Sequence, residues 1–255
     1  MRVRVSTPTQ AVGKGGQTPY LFQRSKVFRA SGVECSTQLS FIFESDRYFY
    51  PYPTQWDSLD PLSVLTLTIA SGNPRKVAEI EAMLGPLPLT VVRQPSELEV
   101  EETGKTYLEN ALLKASAAAQ LTGTWSLADD SGLEVDALHG APGLYTARLA
   151  PTDDEKVSKL LHSMADQPYR SARFRSAMVL CSPDGASIES SEGICWGELL
   201  KSAAYPGGGL ESLFWIRETR CSYGEMTAAQ LSRLGSRGKA AREMAPRLRQ
   251  QLGIH

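Results

Sequence analysis

Cysteine, charge imbalance and long apolar runs are all scarce in this chain, and each scarcity removes a class of protein. The four cysteines, Cys35, Cys181, Cys195 and Cys221, are widely spaced with no Cys-x-x-Cys pair. Neither a zinc site nor a disulfide framework is indicated, and reduced structural thiols are the expected state. Lys and Arg number 27 against 28 Asp and Glu, a net charge of −1, which argues against a general nucleic-acid binder with its strongly basic domain. Any polyanionic ligand must then be neutralised locally by Lys, Arg or a metal. No apolar run reaches the roughly 20 residues that a membrane helix needs. The length of 255 residues suffices for one large α/β domain, or a domain with an appendage, with a full core.

Residues 1–61 lack something else. No acid precedes Glu34, whereas Arg2, Arg4, Lys14, Arg24, Lys26 and Arg29 are interspersed with Ser, Thr and Gly. Scattered aromatics follow, from Phe41 to Trp56. A basic, Ser-rich and acid-poor stretch has the character of an organelle transit peptide. It has equally the character of an upstream extension without a selected fold, or of a start placed too early, the next methionine being Met83. Residues 1–61 are expected to form a poorly ordered extension and residues 62–255 the domain proper.

That domain opens with Leu65, Leu67 and Ile69 alternating with threonines, a strand by period and β-branching. Ser71-Gly72-Asn73-Pro74-Arg75-Lys76 follows at once. Gly72 permits a tight turn, Asn73 is a good N-cap and Pro74 a good first helical residue. The free N–H groups and positive dipole end of the helix then point at whatever lies above the sheet edge, and Lys76 adds a full charge one turn in. A second stretch, residues 101–148, carries the acids. Glu101 and Glu102 precede a helix on which Asn110 and Lys114, four apart, share a face. Asp129 and Asp130 lie between the apolar approach of Trp125, Leu127 and Ala128 and the alternation of Leu133, Val135 and Ala137. The pair is expected at the mouth of a strand, where α/β enzymes collect their chemistry, and paired carboxylates there suggest a metal. Glu134 and Asp136 are read as solvated.

Further on, residues 151–164 read as an acid-started amphipathic helix with His162 at its surface. Residues 174–181 and 193–200 read as an antiparallel pair around Ser182-Pro183-Asp184-Gly185, and Ala240 to Leu252 as an Arg-rich helix with a solvated face. The expected fold is α/β, a mixed twisted β-sheet flanked by helices, in two lobes with a cleft between them.

The run Glu102-Thr103-Gly104-x-Thr106-Tyr107-x-Glu109-Asn110-Ala111-x-x-Lys114-Ala115 and the segment Ala128-Asp129-Asp130-Ser131-Gly132-Leu133-Glu134-Val135 through Pro142-Gly143-Leu144-Tyr145-x-Ala147-Arg148 closely resemble the inosine triphosphate pyrophosphatase family. The resemblance implies hydrolysis of non-standard purine nucleoside triphosphates (dITP/ITP, XTP/dXTP) to the monophosphate and pyrophosphate, with magnesium, in a cytoplasmic homodimer. It places Ser71, Gly72, Asn73, Pro74, Arg75 and Lys76 on the triphosphate and Lys114, beside Asn110, on phosphate. Ser131, Glu211 and Arg237 are further substrate contacts. Carboxylates beside a triphosphate call for a cation between them, and Mg²⁺ held by one or two carboxylates, phosphate oxygens and water is economical. Glu102, with Glu101 as its neighbour, and Asp130 are the expected ligands, and Asp130 also orients or deprotonates the attacking water. Asp129 is left between a supporting and a structural role. Neither a nucleic-acid polymer nor a membrane is expected as partner.

The resemblance weakens in the C-terminal third. Where the family carries Gly-Gly-Phe-Gly-Tyr-Asp-Pro, the ungapped alignment puts Gly208 for the Phe, Leu210 for the Tyr, Glu211 for the Asp and Ser212 for the Pro. Leu231 stands for a substrate-contacting Lys, and Ser-His-Arg reads Gly235-Ser236-Arg237. Each lost base stack or charged hydrogen bond is worth roughly 1–3 kcal/mol. A second reading is therefore a degraded, non-catalytic nucleotide-binding homologue, unless neighbours such as Trp215, Glu211 or Arg233 substitute.

Overall fold

The computed structural model describes residues 3–5 and 65–254. Strand β1 (Val3–Val5) pairs antiparallel with β4 (Leu98–Val100), Val3 opposite Val100. The rest of the expectation for residues 1–61 lies outside the described residues. Strand β2 (Thr66–Ile69) realises the predicted alternation: Leu67 and Ile69 are fully buried toward one face of the sheet, and Thr68 faces the other, where its hydroxyl lies 2.7 Å from that of Thr124.

Helix α1 (Pro74–Leu84) starts as predicted, with the Asn73 side chain accepting from the backbone N–H groups of Arg75 and Lys76. Strand β3 (Thr90–Arg93) returns parallel to β2. Helix α2 (Tyr107–Thr122) is capped by the Thr106 hydroxyl and closed by Gly123 in the left-handed conformation, and its buried alanines let it lie close to the sheet. Strand β5 (Trp125–Val135) is parallel to β2, and helix α3 (Asp153–Ser163) opens with a Thr152/Glu155 capping box. Strands β6 (Ser171–Cys181) and β7 (Ile188–Leu199) form the expected antiparallel pair, continued by β8 (Phe214–Ile216) and β9 (Cys221–Ser222). Helices α4 (Ala228–Leu234) and α5 (Ser236–Leu252) end the chain.

The sheet order is β3-β2-β5-β6-β7-β8-β9, parallel at one edge and antiparallel beyond β5. It is the mixed sheet the sequence predicts, with helices on both faces. Helices α1 and α5 cover one face with Ile80, Leu84, Met244 and Leu248 against Leu67, Ile69, Leu127, Met178 and Leu180. The alanines of α2 cover the other, against Ala128, Val179 and Cys181. The far ends of β5, β6 and β7 run on into a second core of Leu133, Leu160, Met164, Phe214 and Ile216. The two lobes therefore share three long strands.

Three expectations need correction. Asp129 and Asp130 do not end a strand, because β5 runs unbroken through them. Its pairing with β2 stops at Leu127 while its pairing with β6 continues to Val135, so the mouth at which the acids sit is that of β2. Helix α5 begins at Ser236 rather than Ala240. Its arginines are not simply solvated: Arg249 donates to the Pro86 carbonyl, and Arg247 donates to the Ser190 carbonyl and pairs with Glu243. Glu134 is largely enclosed and ion-paired to Arg173 at 2.6 Å.

The early start of α5 depends on Gly193 of β7, since a Cβ there would press on the backbone of Ser236 and Ala240. Neither strand nor helix can give way without opening the core. Gly193→Ala is expected to lower stability by about 1–3 kcal/mol, the usual cost of overpacking, seen as a lower urea midpoint at unchanged m-value.

Candidate active site

Alternation along β5 sends its two adjacent acids to opposite faces of the sheet, and each meets its own cations. Asp129 has a fully buried side chain whose Oδ2 lies 2.6 Å from Lys76 Nζ and 3.3 Å from Arg237 Nε. Lys76 also donates to the Asp129 carbonyl at 3.0 Å, which ties the first turn of α1 to the strand. Arg237 reaches on to Glu79 Oε2 at 2.8 Å and donates to Ser131 Oγ at 3.2 Å. Burial opposes ionisation of Asp129, but Lys76 and Arg237 outweigh it and hold the carboxyl well below its usual range. Arg237, expected as a substrate contact, is here an ion-pair partner of Asp129 and Glu79; the sequence does not single out Glu79, though Lys76 and Glu79, three apart on one helix, share a face.

On the other face, Asp130 Oδ1 lies 2.8 Å from Lys114 Nζ, and the Asn110 amide donates to Oδ2 at 3.3 Å. Asn110 also accepts from the Gly104 N–H at 2.8 Å, so the loop before α2 is hung on the residue that holds Asp130. The same Lys114 lies 2.9 Å from Glu102 Oε1, whose other oxygen pairs with Arg148 at 2.6 Å. Burial pushes Asp130 up despite Lys114, with Glu102 adding to the rise. For Glu102 burial acts the same way, but Lys114 and Arg148 prevail and its carboxyl is lowered. Arg148 closes the sequence motif, yet only the fold shows it on Glu102.

The expected residues thus divide into groups. Glu102, Asn110, Lys114 and Asp130 converge on one point. Lys76, Asp129, Ser131 and Arg237 converge on another, and the backbone of β5 joins the two. Residues 71–76 form an exposed loop and helix start, where the Asn73 N–H donates to Ser71 Oγ at 3.2 Å and Arg75 stands free at the surface. A Cβ on Gly72 would touch nothing within 4 Å, and its backbone is not left-handed, so neither packing nor conformation of the chain requires glycine there. Glu211 sits on a 3₁₀ turn, Gly209–Ser212, within electrostatic reach of Arg75 and Arg237. Burial pushes its carboxyl up, opposed by Arg75. Of the departures, Leu231 packs on the second core, and Ser236, next to Arg237, shares a buried hydroxyl contact of 2.9 Å with Ser176, the strand partner of Ser131.

The donor set suits a hard divalent cation. Two carboxylates from different elements already converge within 3 Å of a single ammonium, that of Lys114, which is the arrangement of one or two protein oxygens that Mg²⁺ takes beside phosphate and water. Among the described residues no cluster of three or more His, Cys, Asp or Glu is assembled, so soft or all-protein metal cages are not offered.

A mixed sheet whose parallel strand opens onto a capped helix start, with two lysines and a divided acid pair beside it, offers groups that suit phosphate and a cation. Residues 67–247 match the Ham1 family, and the chain belongs to that family. It is 45% identical over 176 residues, covering 69% of this chain and 91% of the relative, to a Synechocystis protein named dITP/XTP pyrophosphatase. A Synechococcus protein of the same name is 44% identical over 187 residues, covering 73% of this chain and 91% of its own. Among solved structures, a HAM1 protein from Coxiella burnetii superposes with a TM-score of 0.66 at 31% identity, covering 73% of this chain and 99% of its own. A Mycobacterium abscessus nucleoside-triphosphatase described as a dITP/XTP pyrophosphatase gives 0.58 at 33% identity, covering 71% and 100%.

Asp129→Asn would leave Lys76 and Arg237 buried against a neutral amide. The expected loss is about 3–5 kcal/mol of stability, as for a broken buried pair, measured by urea unfolding at pH 7. Because folding lowers this carboxyl from its ordinary 3.8, its contribution is complete above that value and is lost as the pH falls below it. The wild type should therefore lose stability on acidification more steeply than the variant.

Proposed function

We propose that this protein hydrolyses non-standard purine nucleoside triphosphates, dITP/ITP and XTP/dXTP, to the nucleoside monophosphate and pyrophosphate with Mg²⁺, and so cleanses the nucleotide pool. The observation that carries the reading is the convergence of Glu102 and Asp130 on Lys114 beside the open start of α1. The names of the cyanobacterial relatives supply the substrate class. The family resemblance extends the proposal to a cytoplasmic homodimer. The near-balanced net charge of −1 speaks against a nucleic-acid polymer as partner, and among the described residues no helix is long and apolar enough to cross a membrane.

Residues 71–76 bind the triphosphate. The exposed N–H groups at the start of α1 and the positive end of its dipole face the phosphates, and Gly72 lets them approach the backbone closely. Lys76 has three donors, of which Asp129 takes two through its carboxylate and carbonyl, so its ammonium is held at the mouth of β2 with a direction left for an anion. Arg75 adds an exposed charge. Glu102 and Asp130 would hold Mg²⁺, which would supply neutralisation of phosphate charge. Water adds to the α-phosphorus and the bond to the bridging oxygen breaks, so that pyrophosphate departs with that oxygen. Asp130 orients this water and accepts its proton. Asn110 keeps the second Asp130 oxygen in place, and Lys114 balances charge between the two acids.

The test is pyrophosphate release from purified protein. Turnover of dITP and XTP should exceed that of dATP and dGTP by at least an order of magnitude, stop with EDTA and return with Mg²⁺. Asp130→Asn should lower kcat by roughly 10²–10⁴, the usual share of general-base catalysis. Turnover unchanged in this variant, or equal for all four nucleotides, would remove the proposal.

A further inference from the structure

Two glycines of the second lobe leave room for one aromatic ring. A Cβ on Gly208 would meet Cε2 and Cζ of Tyr205 and come within 2.7 Å of its hydroxyl, and a Cβ on Gly224 would collide with the same hydroxyl. Gly208 has φ −88° and ψ 3°, a conformation open to any residue, so the backbone does not call for glycine there. The ring of Tyr205 does. The phenol thus occupies the space into which a side chain at position 208 would project, and the ring remains half-buried rather than sealed in the core.

The neighbours of this ring are charged groups from both lobes. Gly224 also lies against Glu211, 3.3 Å from its Cβ to the added carbon. Arg75 of α1 is within electrostatic reach of both Tyr205 and Glu211. Burial, together with the carboxylates of Glu211 and Glu225, keeps the phenol protonated, so the ring presents a neutral face. A nucleoside triphosphate gripped by residues 71–76 carries its base at the end away from the leaving phosphates. At that end a flat aromatic surface flanked by the carboxyl group of Glu211 is the combination that takes a heterocycle by its face and reads its edge.

We propose that Tyr205 is the residue on which the base of the substrate stacks, its ring seated by Gly208 and Gly224. This rests on the nucleoside triphosphate reading above. It also explains how the chain dispenses with an aromatic at position 208: the ring arrives from three residues upstream. An aromatic at 208 and Tyr205 in its present place exclude each other.

Steady-state kinetics with dITP and Mg²⁺ test it, with inhibition by inorganic pyrophosphate as a readout blind to the base. Tyr205→Ala and Tyr205→Leu should raise KM about 5- to 100-fold, the usual value of one base–aromatic stack, with a smaller change in kcat and no change in the pyrophosphate Ki. Tyr205→Phe should restore the wild-type KM. Gly208→Ala should mimic Tyr205→Ala, because the far end of the ring can swing outward without disturbing the fold, which circular dichroism would verify. Tyr169→Ala, at a residue 77% exposed, should leave KM unchanged. A wild-type KM in Tyr205→Leu and Gly208→Ala would overturn the proposal while leaving the enzyme reading intact. A matching rise in the pyrophosphate Ki would also overturn it, since the ring would then be shaping the phosphate site. Absence of turnover in the wild type would overturn both.

Discussion

Two neighbouring carboxylates buried in one strand are the constraint around which this protein is arranged. Ionised acids under the surface need partners, and removing either partner leaves a charge that costs several kcal/mol. Because strand residues alternate, Asp129 and Asp130 cannot share one set of cations. Asp129 draws Lys76 from α1 and Arg237 from α5, and Asp130 draws Asn110 and Lys114 from α2. The charge chemistry thus binds both helical layers to the central strand at the point where β2 ends.

The Asp129 side is the more enclosed: Lys76, Arg237, Glu79 and Ser131 exchange contacts of 2.6–3.3 Å, and among the described residues Asp129 Oδ1 has no hydrogen-bond partner. The Asp130 side is more open. Its two acids are bridged by Lys114, and Glu102 and Arg148 lie toward solvent, with Arg148 56% exposed. A cation and a polyanion can enter there with little rearrangement of the core, while the helix start stays pinned from behind.

The second lobe follows a different logic. Its core of Leu133, Phe214, Ile216 and Leu160 is an ordinary apolar one, and Phe174, Phe214 and Tyr223 pack within it edge-on or tilted at centroid distances of 4.9–6.1 Å. What that core carries toward the cleft is one turn, Gly209–Ser212, with Glu211 on it and Tyr205 folded back against Gly208. Shared strands β5, β6 and β7 hold this turn in fixed relation to α1.

The sequence by itself determined what is local or periodic. The alternation of Leu67 and Ile69, the Asn73-Pro74 helix start, the acid-started helix after Thr152 and the β6–β7 pair follow from propensity and capping over a few residues, and all are present. The candidate site residues between 71 and 130 were legible as two short motifs, Ser71–Lys76 and Glu102–Asp130. Tertiary structure alone decided which charge meets which. Lys114 reaches both Glu102 and Asp130, Arg237 reaches Asp129 from more than a hundred positions away, and β5 runs past the end of β2 so that its two acids meet separate cations on opposite faces. Tyr205 belongs with these: read along the chain, Gly208 is a missing aromatic, and only packing reveals that a neighbouring ring fills its place. Propensity acts between residues a few bonds apart, whereas ion pairing and steric exclusion act through space, between residues whose distance along the chain says nothing of their contact.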